Sequence, residues 1–410
     1  MSAGKRSRAM SAGAVPTGAE DIDVRALARI RARHPEAIAE AAARRSRRPL
    51  LADPAAAEPP RPSAAPGSAA PATPAAAPAV PPRPSAPPAA PPRPGEPPDP
   101  GASPAPGTST DSGVPLKPGA RPDHAPGTSS PPGAPPAPGA TPRTRPVDAS
   151  APARLLIIAA DHPARGMLAV GDRPMALADR GELLARLCLA LSRPGVDGVL
   201  ASADILDDLL LLGALEGKVV MGSMNRGGLL GARFELDDRF TGHRPEDLTR
   251  LRFDAGKLLL RLDLEDPGSL DTLHTAARTV DEMAARRLPL FVEPFLVRRQ
   301  RGVLRAELSG RAIATSAAVA AGLGGTSAYT WLKMPVTEHP EEMAGALAAV
   351  TLPTVLLGGD LGDGKQDQVY ERWRQALRLP TVQGLVAGRA LLFPADGDVA
   401  GAVDTAVGLL

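Results

Sequence analysis

The sequence predicts an α/β protein, a (β/α)8 TIM barrel with basic helices ahead of it and a long disordered Pro/Ala-rich insertion between the two. Three observations predict it. Past Pro152, apolar strand-like runs alternate with helical patterns eight times before the chain ends. Polar residues with chemical potential fall at or just beyond the C-terminal ends of those runs, where barrel enzymes keep their sites. The first run closes in Ala159-Ala160-Asp161-His162-Pro163, and not in the Gly-rich turn that a doubly wound dinucleotide fold requires.

Composition narrows the setting. The chain has 410 residues, but 48 prolines and 41 glycines imply that much of it is unpacked, so one folded domain is expected. Lys plus Arg (47) nearly balance Asp plus Glu (45), and the net charge of +2 provides no field to draw nucleic acid or anionic lipid. Cys188 is the single cysteine, so no intramolecular disulfide can form, and its helical apolar setting reads as core. Met1–Met10 is basic without a following apolar signal-peptide stretch, and no apolar run approaches the ~18 residues of a membrane span. A soluble, cytoplasmic protein is expected, with no membrane or nucleic-acid partner.

The chain divides at composition shifts. Residues 1–20 read as a disordered N-terminus. Between Asp21 and Arg48, Val24, Leu27, Ile30 and Ile38 recur at helical spacing among Arg25, Arg29, Arg31 and Arg33, and Pro35 splits the pattern into two short helices. This 21–50 segment is expected to dock on the barrel. Residues 51–152 are rich in Ala, Pro, Gly, Ser and Thr and cannot bury enough apolar area to offset backbone entropy, so disorder with polyproline II stretches is expected. Pro81-Pro82-Arg83-Pro84 and Pro91-Pro92-Arg93-Pro94 could serve a polyproline-reading module, but a solvated linker is the preferred reading, because such runs arise freely in Pro-rich composition.

Within the barrel, 153–410, the strand-like runs are Leu155–Ala160, Gly198–Ala201, Lys218–Gly222, Ala255–Leu262, Pro289–Phe295, Ser327–Met334, Thr354–Gly358 and Val382–Ala387. Amphipathic stretches between them span Arg180–Ser192, Leu270–Arg286, Gly310–Ala321, Glu341–Val350, Gln366–Leu377 and Val399–Leu410.

Lys333 lies in the sixth run, where alternation puts it on one face with Tyr329 and Trp331 and points it into the barrel mouth. Desolvation there would favour a neutral amine able to attack a carbonyl, although a structural lysine paired with a carboxylate is an equal alternative. Lys257, near the start of the fourth run, could repel Lys333 or hold an anionic group. Glu293, a lone carboxylate in Leu290-Phe291-Val292-Glu293, needs a partner or a task, either neutralising a lysine or shuttling protons. Asp161 is aimed inward by the alternation of Leu155, Ile157 and Ala159, while His162 reads by default as an outward loop histidine.

Gly358, Gly359 and Asp360 follow the seventh run, and Gly388 and Arg389 follow the eighth. In barrels these two loops commonly bind phosphate through backbone amides, with Arg389 adding a charge-assisted contact and Asp360 forming a turn or meeting a hydroxyl. Arg261, at the far end of the fourth run, counts with the groups that would hold an anionic substrate. The six histidines are scattered, without the spacing of a zinc site, and Asp360, Asp363 and Asp367 do not follow a calcium loop. No metal or other cofactor is expected.

Taken together, Ala159-Ala160-Asp161-His162, Ala255-Gly256-Lys257, Leu290-Phe291-Val292-Glu293 and Leu332-Lys333 resemble the class I aldolases that share the (β/α)8 barrel, among them tagatose-bisphosphate, deoxyribose-phosphate and archaeal-type fructose-bisphosphate aldolases. The likeness runs from about Leu155 to Leu410. Ala159 to Gly166 further resembles a bacterial deoxyribose-phosphate aldolase-like subgroup associated with inositol catabolism. The chain departs from deoxyribose-phosphate aldolases in having Met334-Pro335, not Thr-Gly, after the lysine.

The resemblance implies reversible aldol cleavage of a phosphorylated ketose or keto-deoxy sugar acid. Lys333 would form the Schiff base, with Glu293 and Asp161 handling protons and Lys257 tuning Lys333 or binding an anionic group. Gly358, Gly359, Gly388, Arg389 and Arg261 would hold substrate phosphate. The partner is then a small sugar phosphate, and a homo-oligomer is compatible with the sequence. Two alternatives use the same barrel: a sugar isomerase or lyase with the lysine as base, and a non-catalytic sugar-phosphate-binding protein that recruits a partner through the Pro-rich arm.

Overall fold

Alternation of apolar side chains along short apolar runs puts one set of residues inside a closed sheet and the other under its helices. The computed structural model describes residues 22–50, 154–225, 228–337, 339–358 and 366–410. The expected disordered stretches, 1–20 and 51–152, lie outside these residues, as do Gly359, Asp360 and Asp363.

The strands are β1 (Leu155–Ala160), β2 (Gly198–Ala201), β3 (Val219–Ser223), β4 (Ala255–Leu262), β5 (Leu290–Gln300), β6 (Val303–Ala306), β7 (Thr330–Met334), β8 (Thr354–Leu357) and β9 (Val382–Ala387). Eight of them close a parallel ring in the order β1, β2, β3, β4, β5, β7, β8, β9, with β9 returning to β1. This is the expected (β/α)8 barrel. The ninth, β6, is an addition: β5 runs past Phe295 to Gln300 and folds back antiparallel through Arg301 and Gly302, both at positive φ, a two-residue hairpin turn. Arg298, Arg299, Gln300, Arg301 and Arg305 interrupt the apolar residues along that hairpin and hid it from a search for apolar runs.

The helices are α1 (Val24–Arg33), α2 (Glu36–Arg44), α3 (Arg180–Ser192), α4 (Ala203–Leu211), α5 (Pro245–Arg250), α6 (Gly268–Ala285), α7 (Gly310–Ala321), α8 (Pro340–Leu347), α9 (Gln366–Ala376), α10 (Arg389–Leu392) and α11 (Val399–Val407). Several begin where a side chain satisfies a free backbone N–H: Asp179 accepts from Glu182, Ser309 from Ala312 and Asp398 from Gly401. Pro35 separates α1 from α2, as its missing N–H requires. Among the described residues, no helix is long and apolar enough to cross a membrane.

Two cores follow from the alternation. Leu156 and Ile158 of β1 face α3 with Leu183 and Leu187, within an outer layer that also buries Leu332 and Trp373. Ile157, Ala159, Leu200, Met221, Phe291, Val355 and Val386 fill the barrel interior, with Trp331 packed partly against them. The Phe291 and Trp331 rings lie 5.1 Å apart between centroids.

The segment after α2 lies against the N-terminal ends of the strands. Asp254, just before β4, receives Arg47 at 2.7 Å, the buried Arg45 at 3.2 Å and the Val220 N–H at 2.9 Å. Asp197, just before β2, receives Arg48 at 2.5 Å and the Leu156 N–H at 2.7 Å. Leu50 then packs against the interior core. These pairs leave the opposite, C-terminal mouth open for other work.

Candidate active site

Strand register decides which side chains meet at that mouth. Val292 and Leu332 are cross-strand partners, so Glu293 and Lys333 stand side by side one residue further along β5 and β7. On the other side of β5, Leu259 partners Glu293, which puts Lys257 one inward position lower on β4, from where its long stem reaches up. Lys333 Nζ donates to Glu293 Oε1 at 2.5 Å, and Lys257 Nζ pairs with Glu293 Oε2. Lys257 also reaches Asp161 Oδ2 at 3.3 Å, and the Ser223 hydroxyl donates to the same oxygen at 3.4 Å. All four charged groups are buried.

Burial would raise the pKa of Glu293, but the charges and hydrogen bonds of Lys257 and Lys333 outweigh it and hold the carboxyl far below the usual carboxylate range. Glu293 is therefore ionised and shared between two ammonium groups. Lys333 and Glu293 open onto a cavity of about 160 Å3, which Asp161, Gly358, Gly388 and Arg389 also line.

The cavity brings together most of the residues singled out in the sequence. Gly388 is required at its place, since a Cβ there would fall 2.0 Å from the carbonyl oxygen of Ala159. Two expectations need correcting. His162 does not point outward: it lines the cavity with its ring 3.8 Å from Asp161, and burial together with the Arg389 and Lys333 cations pushes its pKa down to about 3. Although 22 % of its side chain stays accessible, the ring is neutral at ordinary pH. Arg261 lies on the inward face of β4 but does not line the cavity. The loop after β3 folds across the rim, where Asp238 takes the Arg261 guanidinium in a two-pronged pair at 2.6 and 3.0 Å.

Arg165, Met167, Leu259 and Phe295 line the cavity without having been singled out. Leu259 and Phe295 follow from strand alternation. Arg165 belongs to a short 3-10 turn, Pro163–Arg165, where no periodicity reports direction.

A larger groove, about 670 Å3, lies between the 233–245 loop, α5, α6 and Arg299. Neither lysine lines it, so size does not make it the reactive site. Among the described residues, no group of three or more His, Cys, Asp or Glu side chains is placed to hold a metal ion.

The closed parallel ring and the lysine–carboxylate cluster at its C-terminal mouth define a (β/α)8-barrel protein with a polar, buried site. Residues 153–407 match the model of the Cgl0159-like family, and the chain belongs to that family. It is similar to Cgl0159 of Corynebacterium glutamicum (Brevibacterium flavum), known as a crystal structure: 52% identity, TM-score 0.60, covering 63% of this chain and 85% of that one. An archaeal fructose 1,6-bisphosphate aldolase is similar at 20% identity and a TM-score of 0.49, covering 63% of this chain and 93% of that one. The fructose-bisphosphate aldolase of Slackia heliotrinireducens is similar at 16% identity and a TM-score of 0.46, over 63% and 86%. No curated protein matches the chain.

Proposed function

We propose that this barrel is a class I, Schiff-base-forming aldolase acting in the cytoplasm on a phosphorylated ketose or keto-deoxy sugar acid. The observation that carries the reading is a buried lysine, Lys333, held 2.5 Å from a buried carboxylate and facing a small cavity. Covalent carbonyl chemistry needs an amine nucleophile with a proton acceptor in contact, in a site that excludes bulk water.

In this mechanism the negative charge of the bound substrate offsets the lysine cations that depress Glu293, the Lys333 ammonium passes a proton to Glu293, and the neutral amine adds to the substrate carbonyl to give a carbinolamine. Glu293 returns the proton to the departing hydroxyl, which leaves as water, and an iminium remains. The iminium draws electrons from the bond between the α and β carbons as the β-hydroxyl loses its proton to Asp161, releasing an aldehyde and an enamine. Protonation of the enamine and hydrolysis of the imine restore the lysine. Lys257, bonded to both carboxylates, fixes them and compensates their charge.

Gly388 and Arg389, with Gly358 and Gly359, are assigned to the substrate phosphate. A cavity of about 160 Å3 holds roughly five waters, so it suits the few atoms around the reacting carbonyl, with the rest of the substrate toward the mouth. A place in inositol catabolism rests on the likeness of the Ala159 to Gly166 stretch alone.

Borohydride reduction tests the chemistry, because it makes an imine permanent. Wild-type protein reduced in the presence of dihydroxyacetone phosphate, or of a panel of ketose phosphates and keto sugar acids, should carry the matching mass increment on the Lys333 peptide. The Lys333→Met variant should carry none. An unmodified Lys333 across the panel, or an adduct on a different lysine, rules out the proposal.

A further inference from the structure

Five lysine and arginine side chains are buried among the described residues: Arg45, Arg165, Lys257, Arg261 and Lys333. Arg45 has Asp254, Arg261 has Asp238, and both lysines have Glu293. Arg165, 8% exposed, is the one with no carboxylate in ion-pair reach among the described residues. Its Nε donates to the Gly228 carbonyl at 2.9 Å, and its own carbonyl accepts from the Leu230 N–H at 3.0 Å. These bonds fix the residue against the loop after β3. The terminal nitrogens of the guanidinium make no hydrogen bond among the described residues, and the side chain lines the reactive cavity.

A buried cation without a counter-charge in contact is costly, and the neighbouring Arg261 adds repulsion. Burial first, and that repulsion second, lower the Arg165 pKa, although the Asp238, Glu293 and Glu235 carboxylates pull it the other way from beyond contact distance. An anionic ligand would relieve both.

We propose that Arg165 binds a carboxylate of the substrate, at the end remote from Arg389. The two arginines enter from different sides of β1: Arg389 follows β9, which flanks β1, whereas Arg165 is tied to the loop that follows β3. The choice of a carboxylate follows from the donors available. With Nε engaged by Gly228, one planar edge of two terminal nitrogens remains, which matches the two oxygens and single charge of a carboxylate. A phosphate dianion would want further cations, and the nearest, Arg261, is already held by Asp238. This deepens the aldolase reading, on which it rests for the identity of the molecule, by selecting a keto sugar acid over a ketose bisphosphate.

The test uses ligands that cannot form an imine, so it reads binding apart from chemistry. Gluconate 6-phosphate and glucitol 6-phosphate differ by one carboxylate and lack a carbonyl group at which Lys333 could react. Calorimetry on the full chain should show the wild type preferring gluconate 6-phosphate by about tenfold or more. Arg165→Met should abolish the preference, and Arg389→Met should weaken both ligands alike. Arg165→Gln keeps an amide donor for the Gly228 carbonyl but no charge, and it should also lose the preference; circular dichroism melts confirm that each variant is folded.

A wild type that binds both ligands equally or neither, or an Arg165→Gln variant that keeps the preference, would overturn the proposal and leave Arg165 a loop tether. Failure of borohydride trapping with the preference intact would instead remove the Schiff-base chemistry and leave the carboxylate site standing.

Discussion

Replacing Glu293 by Gln removes one charge from between two ammonium groups while keeping the shape of the side chain. In the native site its two oxygens are divided between Lys333, at 2.5 Å, and Lys257. At an effective dielectric constant of about 20, each such contact is worth roughly 7 kcal/mol before desolvation is counted. Net losses on breaking one partner of a buried pair run to about 3–5 kcal/mol, because the remaining charge stays buried. For a barrel of this size that corresponds to a fall in melting temperature of roughly 6–20 °C, at about 2–4 °C per kcal/mol.

The pH dependence fixes the sign. Folding holds the Glu293 carboxyl below its ordinary value of 4.5, so its stabilisation is complete above that pH and fades as pH falls beneath it. Urea unfolding of wild type and Glu293→Gln, followed by circular dichroism from pH 7 to pH 3, should show a wide gap at neutral pH that narrows in acid. A variant within about 1 kcal/mol of wild type at pH 7, or a gap that widens in acid, would refute the account of Glu293 as a shared counter-ion.

Three further outcomes are expected. Asp254→Asn should cost about 3–5 kcal/mol in urea unfolding, since it deprives the buried Arg45 of its counter-charge and weakens Arg47; a loss under about 1 kcal/mol would show that the segment after α2 adds little to the barrel. Gly388→Ala places a Cβ 2.0 Å from the Ala159 carbonyl oxygen, so it should lower stability by roughly 1–3 kcal/mol and weaken sugar-phosphate binding in calorimetry; unchanged binding would remove Gly388 from the site. Cys188 is fully buried and burial pushes its thiol up to about 12, so a thiol-reactive chromophore at neutral pH should label it only as fast as the protein unfolds. Immediate labelling of native protein would contradict that packing.

The barrel was legible because a parallel strand buried on both faces reads as a continuous apolar run. Leu155–Ala160, Gly198–Ala201, Ala255–Leu262 and Val382–Ala387 begin and end where the runs do. Helix starts were legible where a capping residue marks them, as at Asp179 before α3. α4 was not, because Ile205, Leu206, Leu209 and Leu210 pack an apolar face into nine residues directly after β2, too short a span for periodicity to show. Of the site, Lys257, Glu293 and Lys333 stood out as charges inside apolar strands. Past a strand end the two-residue period stops reporting direction, so His162 was read as facing outward and Arg165 was not singled out. Arg261 shows the complementary failure: its inward face was readable, but its partner Asp238 comes from an irregular loop whose path no pattern encodes.

The same residue type serves the two ends of the barrel in opposite ways, and the difference lies in pairing, not in burial. At the N-terminal end, Arg45, Arg47 and Arg48 meet Asp254 and Asp197, carboxylates that are themselves bonded to strand N–H groups. Every charge there is answered within the chain, as a purely structural region requires. At the C-terminal mouth, Lys257 and Lys333 share Glu293, and Arg165 has no carboxylate of its own among the described residues. Two buried arginines of equal charge, Arg45 and Arg165, therefore predict opposite responses to neutralisation: removing the charge at Arg45 takes a partner from the buried Asp254 and costs stability, whereas removing it at Arg165 takes a partner from no carboxylate and costs ligand affinity.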